Sequence, residues 1–434
     1  MTSEDTFLVK PKRWENNEQT PRSPGKTTVT KRSLRMPSRK PVIRQTTTDK
    51  ATARPAASRP AAYQPASALW SVFRPANAPH AFRSTSPTDA AAWQNSTRAE
   101  LARCIGLDTI ARIHDAGTGR EGSASAADPR GPARRATEAK PPRARVIERV
   151  EKPDYVREKV VLTIGRKTSM PVYLLLPKNA TSPPPVVVAF HGHGYGVKDI
   201  VGLWEDGAER DTPDGYHRDF AVELCRMGFA VAAPEISCFG ERQTDFSYLN
   251  TTIGQPVPTT CAHTAMLAFH LGISVVGLRV HDGVRLVDYL ETRKDIDAAR
   301  LGAMGISGGG MHTFFSTCLD PRISACVVSG YFAGFRNSIL AMHHCPCNFV
   351  PGLAEFGEMA DLAGLIAPRP MLVEAGTYDP IFPIDAVKAE VKRARAVFGA
   401  FGARDAVQTD YFEGRHRISG RRAYGFLAEK LGLT

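Results

Sequence analysis

The chain has 434 residues, of which 42% are hydrophobic and 23% charged, a composition typical of a soluble globular protein with one large folded unit and an accessory segment. Its formal net charge of +12 is concentrated in residues 1–145, which contain 26 Lys+Arg and 12 Asp+Glu. Residues 146–434 contain 30 Lys+Arg and 32 Asp+Glu and are nearly neutral. The charge therefore does not indicate a nucleic-acid-binding fold. We expect neither a membrane span nor an export signal, because no run of about 18 apolar residues occurs and Glu4 and Asp5 lie where a signal peptide would be basic and then apolar.

Residues 1–87 form a leader that is rich in Arg, Lys, Pro, Ser, Thr and Ala. Such a segment buries too little apolar surface to offset its conformational entropy, so we predict that it is disordered. Its basic residues, with Tyr63, Trp70 and Phe73, could contact nucleic acid or an anionic surface. We favour a solvated tail, because runs of charge are usually solvated, and we expect no nucleic-acid or membrane partner.

Residues 88–145 are predicted to contain one helix followed by a linker. Apolar residues recur at near-helical spacing after the capping candidates Ser86 and Thr88; they are Trp93, Leu101, Cys104, Ile105 and Leu107. The stretch 117–145 is rich in Arg, Pro, Gly and Ala, which is typical of a linker.

From residue 146 to residue 434, strands and helices alternate along the chain. The predicted strands are 160–164, 172–176, 186–190, 230–233, 301–306, 325–329, 371–374 and 408–412. The predicted helices are 215–227, 275–292, one from 308, 384–397 and 420–431. This alternation predicts an α/β fold with a mostly parallel sheet and helices on both faces.

The sequence Gly305-Ile306-Ser307-Gly308-Gly309 lies between a predicted strand and a predicted helix. A G-x-S-x-G motif in this context is typical of a nucleophile elbow, a strained turn that lifts the serine hydroxyl above the end of the strand. The glycines leave room for the turn. We therefore predict that Ser307 is a nucleophile, although a Gly/Ser turn that caps a helix would give the same letters.

A serine nucleophile needs a base and a carboxylate that orients the base, and in this topology they follow the serine in the order acid, then histidine. Asp379 comes just after the strand at 371–374, and His416 comes just after the strand at 408–412. Both should project from the edge of the sheet where Ser307 emerges. Glu374, inside a strand, and Asp385, on a helix, are weaker candidates for the acid.

The loop His191-Gly192-His193-Gly194-Tyr195-Gly196 follows the strand at 186–190. A tetrahedral intermediate needs backbone donors for its oxyanion, commonly the N–H after the nucleophile and one from a loop such as this. We assign these roles to Gly308 and His193, with Gly194 as the next candidate. A simple Gly-rich turn is the alternative.

Eight cysteines are scattered along the chain, which indicates reduced thiols in a cytosolic protein. Cys345 and Cys347 lie beside His343 and His344, but a C-x-C pair without a second pair at finger spacing favours a packed loop over a metal site. We expect no metal and no other cofactor.

With Ser307, Asp379, His416 and the His191 loop identified, the chain resembles the dienelactone-hydrolase-like and acetyl-xylan-esterase-like branch of the α/β-hydrolase superfamily over residues 88–434. The resemblance also includes the phrases Phe239-Gly240-Glu241-Arg242, Cys347-Asn348-Phe349-Val350-Pro351-Gly352 and Asp379-Pro380-Ile381-Phe382-Pro383. It implies a cofactor-free hydrolase with a helical lid insertion, in which segments 237–273 and 332–365 cover the active site. The chain differs in having serine where dienelactone hydrolases have cysteine, and Gly308 where acetyl-xylan esterases have glutamine.

The leading hypothesis is thus a serine esterase that cleaves a small-molecule carboxylic ester through an acyl-enzyme. A peptidase of the prolyl-oligopeptidase kind has the same triad order, but the residues before 160 cannot build its propeller. A non-catalytic hydrolase fold with a nucleic-acid-binding tail is the second alternative. The presence of all three triad groups at strand ends argues against it.

Overall fold

The computed structural model describes residues 61–115, 140–246 and 259–433. These ranges contain ten α-helices: α1 (Pro65–Val72), α2 (Pro87–Cys104), α3 (Leu107–Asp115), α4 (Phe220–Arg226), α5 (Thr260–His270), α6 (Val275–Leu290), α7 (Gly308–Leu319), α8 (Met359–Ala363), α9 (Ile384–Ala400) and α10 (Ala423–Leu431). They also contain nine strands: β1 (Arg143–Glu151), β2 (Tyr155–Gly165), β3 (Thr168–Pro177), β4 (Pro185–Phe190), β5 (Ala230–Pro234), β6 (Asp297–Ile306), β7 (Ala325–Ser329), β8 (Met371–Gly376) and β9 (Val407–Phe412).

The nine strands form one sheet in the order β1-β2-β3-β5-β4-β6-β7-β8-β9. The first three strands are antiparallel neighbours, and β3 is antiparallel to β5. All other neighbours, from β5 to β9, are parallel. This confirms the predicted mostly parallel sheet, and it places the carboxyl ends of β4, β6, β7, β8 and β9 at one edge.

Helices pack on both faces of the sheet. Val328 and Val373 lie in one apolar cluster with residues of α7 and α9, whereas their neighbours Val327 and Leu372 lie in another with residues of α4 and α10. Successive side chains of a strand point to opposite faces, so the two clusters are the two sides of a three-layered core. The predicted α/β class is confirmed.

The amino-terminal boundaries differ from the prediction. The predicted disorder of residues 1–87 is wrong for residues 61–87, which include α1 and contact the rest of the domain. The N–H of His80 donates to the carbonyl of Glu355 at 2.8 Å, and the N–H of Phe82 donates to Asp361 Oδ1 at 3.1 Å. Composition does not reveal such docking, because it depends on distant partners. Residues 1–60 lie outside the described residues.

The helix and linker predicted for 88–145 also differ from the structure. Gly106, with φ +88°, separates α2 from α3, so two helices replace the single predicted one. Strand β1 begins at Arg143, so the predicted boundary between residues 145 and 146 falls inside a strand. Most of the predicted linker, residues 117–139, lies outside the described residues.

Helix α4 begins at Phe220 instead of residue 215. Arg218 and Asp219 have φ values of 53° and 46°, which belong to the left-handed region and cannot continue a right-handed helix. Apolar spacing alone does not show this backbone reversal. The other predicted strands and helices agree with the structure apart from their ends.

Among the residues that the structure describes, no single helix combines the length and apolarity needed to cross a membrane. Helices α5 and α6 meet those criteria only when taken together, across a bend of 96°.

A buried carboxylate gives the fold an expected pH dependence. Glu358 accepts the N–H of Phe335 at 2.7 Å, and burial, with the nearby Glu390, raises the pKa of Glu358 to about 7 from an ordinary 4.5. Because the folded state holds this proton more tightly than the unfolded chain does, the stabilisation is fully present below about pH 4.5 and lost as the pH rises through about 7. The free energy of unfolding should therefore fall by up to about 3 kcal/mol over this range.

The variant Glu358→Gln should remove this part of the pH dependence, because glutamine does not titrate. Urea unfolding of wild type and variant between about pH 4.5 and pH 7 gives, for each protein, the slope of the free energy of unfolding against pH. Exposed Glu429, replaced by glutamine, serves as the control and should keep the wild-type slope. Equal slopes for Glu358→Gln and wild type would contradict the assignment.

Candidate functional site

Ser307 lies in the turn between β6 and α7, as predicted. Its φ of 57° and ψ of −120° are strained for a residue with a side chain, which is the conformation expected of a nucleophile elbow. Its neighbours must be small: a side chain at Gly309 would overlap the carbonyl of Phe190, and a Cβ at Gly305 would lie 2.5 Å from the carbonyl oxygen of Gly309. The glycines of the motif thus allow β4, β6 and α7 to meet closely below Ser307.

Asp379 and His416 meet after the ends of β8 and β9. Nδ1 of His416 lies 2.7 Å from Oδ2 of Asp379. The other carboxylate oxygen, Oδ1, accepts the N–H groups of Ile381 at 2.8 Å and Phe382 at 3.1 Å. The Asp379 side chain is 1% exposed, so its two oxygens are fixed in separate roles: one holds the loop and the other holds the imidazole.

The imidazole of His416 lies beside the elbow. A Cβ at Gly330, the residue after β7, would be 2.9 Å from Cε1 of His416 and 3.4 Å from Cγ1 of Ile306, the residue before Ser307. Phe382 stacks on the imidazole with ring centroids 5.9 Å apart. Nε2 of His416 is buried and has no hydrogen-bond partner among the described residues, so it is free to act on a neighbouring hydroxyl.

The loop at 191–196 lies against the same turn. A Cβ at Gly192 would be 3.2 Å from Cβ of Ser307, and a Cβ at Gly308 would be 3.1 Å from Nδ1 of His193. Within the described ranges, no group accepts a hydrogen bond from the N–H of His193, Gly194 or Gly308. The predicted oxyanion-hole residues are therefore brought together with their donors unused.

Two side chains that the sequence analysis did not single out, partly buried Tyr216 and buried His217, hold this loop in place. The hydroxyl of Tyr216 donates to the carbonyl of His193 at 2.6 Å and also contacts the hydroxyl of Ser307. Burial raises the pKa of Tyr216 well above its usual value, so the phenol stays protonated. Burial lowers the pKa of His217 well below its usual value, and its Nε2 accepts the N–H of Gly192 at 2.8 Å.

Below the loop, Asp199 forms a further support. Its Oδ2 accepts the N–H of Tyr195 at 3.1 Å and lies 3.6 Å from Nδ1 of His217. Burial raises the pKa of Asp199 to about 6. No motif in the sequence indicates that residues 199, 216 and 217 would meet the 191–196 loop, since their segment has no repetitive pattern.

Glu374, the competing acid, is fully buried and has a different set of partners. It accepts the hydroxyl of Ser329 at 2.7 Å, the N–H of Ser419 at 3.0 Å and the N–H of Gly420 at 2.8 Å. Desolvation raises its pKa. Glu374 therefore fixes the chain that follows His416 and does not contact the imidazole itself.

The structure also groups cysteines in a way that the sequence analysis missed. Cys345 and Cys347 lie with Cys261 and the imidazole of His193, and not with His343, which is exposed. His344 lies 3.1 Å from the side-chain nitrogen of Asn348. Three thiols and an imidazole, which are groups that can bind a metal, thus lie next to the 191–196 loop.

Comparisons with known proteins agree with this fold. The model of the Abhydrolase family matches residues 133–396. The protein named "Putative hydrolase YtaP" of Bacillus subtilis (strain 168) is 27% identical over 263 residues, which cover 59% of this chain and 80% of that protein.

Two solved structures share the fold at low sequence identity. One is a "putative acetyl xylan esterase" from Bacteroides fragilis NCTC 9343, with a TM-score of 0.59, 17% identity and coverage of 80% of this chain and 82% of that one. The other is a glucuronoyl esterase from Solibacter usitatus, with a TM-score of 0.53, 18% identity and coverage of 82% and 99%. The family match extends over more than half of the sequence, and the chain therefore belongs to the Abhydrolase family.

Proposed function

We propose that this protein hydrolyses carboxylic esters through an acyl-enzyme on Ser307, with His416 as the base and Asp379 as the residue that orients it. The observation that carries the proposal is the 2.7 Å contact between His416 Nδ1 and Asp379 Oδ2, next to a strained serine turn and with Nε2 of the imidazole unpaired within the described part of the chain. A hydrogen bond to a carboxylate keeps the proton on Nδ1, which leaves the lone pair on Nε2 available.

In the first half-reaction, Oγ of Ser307 bonds to the ester carbonyl carbon and its proton moves to Nε2 of His416. The bond from that carbon to the alcohol oxygen then breaks, and the alcohol leaves with the proton from Nε2. Water repeats these steps on the acyl-enzyme and releases the acid. The carboxylate of Asp379 stabilises the imidazolium that forms in each half-reaction.

The oxyanion of each tetrahedral intermediate would be bound by the N–H groups of His193 and Gly308, with Gly194 next to them. These donors lack protein acceptors among the described residues, and hydrogen bonds with Tyr216 and His217 hold the 191–196 loop, so the donors are positioned before the reaction. A preorganised donor of this kind typically contributes about 10²- to 10³-fold to kcat.

An ester substrate agrees with the names of the structural neighbours, which are esterases. The peptidase alternative gains no support: residues 61–115 and 140–142 form helices and turns with no strand, so this described stretch contributes nothing to a propeller. We infer a small-molecule ester as the substrate.

Labelling with a fluorophosphonate probe tests the nucleophile directly. The probe should modify the folded protein once, and peptide mapping should place the label on Ser307. A label on another residue, or no label on a protein that hydrolyses p-nitrophenyl acetate, would refute the proposal. Peptide p-nitroanilides, assayed in parallel, should not be cleaved.

The variant Tyr216→Phe tests the support of the oxyanion loop. It removes the hydroxyl that bonds the His193 carbonyl at 2.6 Å and contacts Ser307. Loss of one hydrogen bond of about 0.5–1.5 kcal/mol should lower kcat roughly 2- to 12-fold with little change in KM. Steady-state kinetics on p-nitrophenyl acetate measure it. Tyr378→Phe, at an exposed phenol, is the control and should keep wild-type kcat.

A further inference from the structure

Four side chains from three separate segments meet next to the oxyanion loop: His193, Cys261, Cys345 and Cys347. We call them the thiol cluster. Their ligand atoms, one ring nitrogen and three sulfurs, all lie within 4.8 Å of one another. His193 follows β4, Cys261 lies in the first turn of α5, and the other two flank Pro346 in a 3₁₀ turn. Only the tertiary fold brings these groups to one point.

The separation of the ligand atoms fits tetrahedral coordination. Zn²⁺ binds cysteine sulfur at about 2.3 Å and imidazole nitrogen at about 2.0–2.1 Å, which at a tetrahedral angle places the two ligand atoms about 3.6 Å apart. Sγ of Cys347 lies 3.6 Å from Nε2 of His193. A single thiol–imidazole hydrogen bond would account for that pair, but it would not require two further thiols at the same point.

The charge next to the cluster favours an anionic group there. Arg279 is fully buried; among the residues that the structure describes, its Nε and Nη1 have no hydrogen-bond partner, and Nη2 reaches the carbonyl of Ser237 at 3.4 Å. No carboxylate forms an ion pair with it in the described ranges. The ring centroid of Phe239 lies 5.6 Å from its guanidinium carbon, and the thiols of the cluster and Cys238 are near enough to interact with its charge. A buried guanidinium needs an opposite charge nearby.

We propose that His193, Cys261, Cys345 and Cys347 bind one Zn²⁺ in a closed tetrahedral site. Three thiols lose their protons on binding and the imidazole binds through Nε2, so the site carries a net charge of −1, which balances the positive charge of Arg279. Four protein ligands leave no open position, so the ion is structural. It ties the 191–196 loop to α5 and to the turn at Pro346–Asn348. The site does not depend on the proposed ester hydrolysis.

The zinc content of the full-length protein, purified under reducing conditions, tests the site. Inductively coupled plasma mass spectrometry should find about one zinc per chain. Each of Cys261→Ser and Cys347→Ser should weaken Zn²⁺ binding more than about 100-fold, since even the loss of an outer-shell partner costs 10- to 100-fold. Cys225→Ser, a buried thiol outside the cluster, is the matched control and should retain the metal.

Cys238 provides a stricter control, because it lies next to Cys261 without belonging to the four converging ligands. Cys238→Ser should keep at least half of the zinc. A loss equal to that of Cys347→Ser would show that the ligand set is wrong and would overturn the proposal.

Cobalt substitution tests the geometry in the wild-type protein, so it does not depend on the folding of any variant. Co²⁺ added to the metal-free, reduced protein should give thiolate-to-cobalt charge-transfer absorption and the intense visible bands of tetrahedral cobalt. If the reduced wild type binds neither Co²⁺ nor Zn²⁺, or if two cluster thiols form a disulfide that persists under reductant with Zn²⁺ present, the proposal is wrong. None of these readouts uses ester hydrolysis. The failure of the zinc proposal and the failure of the esterase proposal are therefore distinguishable.

Discussion

Replacement of Ser307 by alanine should lower kcat for short p-nitrophenyl esters by at least about 10⁴-fold, because the variant has no group that can bond to the acyl carbon. The fold should persist. Alanine and serine face the same backbone strain at φ 57°, and the backbone N–H of residue 307, which donates to the carbonyl of Ser329 at 3.0 Å, is unchanged by the substitution. Steady-state kinetics with circular dichroism and thermal unfolding on the same preparation separate loss of chemistry from loss of structure.

A matched control lies on the helix that follows the elbow. Ser316 in α7 is buried, and its hydroxyl has no partner among the described residues, so Ser316→Ala removes the same atom without breaking a hydrogen bond. This variant should retain wild-type kcat. Undiminished turnover by Ser307→Ala would exclude the acyl-enzyme on this residue, whatever the control gives.

The parallel part of the sheet could be predicted because its strands carry strong local signals. A strand buried on both faces, such as β4 (Pro185–Phe190), is a continuous apolar run, and the carboxyl ends of parallel strands must share one edge. The positions of Ser307, Asp379 and His416 at three such ends followed from chain order and sheet topology. The 2.7 Å contact between His416 and Asp379, in contrast, depends on loop geometry that no local pattern specifies.

The groups that the sequence analysis missed are those defined only by distant partners. Tyr216 has no motif around it, yet its hydroxyl reaches the His193 carbonyl 23 residues away. Cys261 lies 84 positions before Cys345 in the chain, so finger-type spacing rules could not pair them. Strand β1, exposed along most of its length, lacks the apolar alternation of a half-buried strand. A cytosolic location remains a prediction.

The variant Asp379→Asn should lower kcat by roughly 10³- to 10⁴-fold at neutral pH without unfolding the protein. The asparagine carbonyl can replace Oδ1, which accepts the N–H groups of Ile381 and Phe382. Its amide nitrogen would then direct an N–H donor at Nδ1 of His416, where Oδ2 now lies at 2.7 Å. Nδ1 would have to accept, so the proton of the neutral imidazole would move to Nε2, and the base could no longer take a proton from Ser307.

The variant Glu374→Gln tests whether Asp379, and not another buried carboxylate at the same edge of the sheet, is the acid of the triad. Gln would place an amide donor against the N–H groups of Ser419 or Gly420, which should cost about 1–3 kcal/mol of stability, seen as a lower urea midpoint. Because Glu374 holds the chain after His416 without contacting the imidazole, the folded variant should keep kcat within about tenfold of wild type. If Glu374→Gln, assayed where it is fully folded, loses as much kcat as Asp379→Asn, the imidazole is oriented by a different carboxylate from the one assigned.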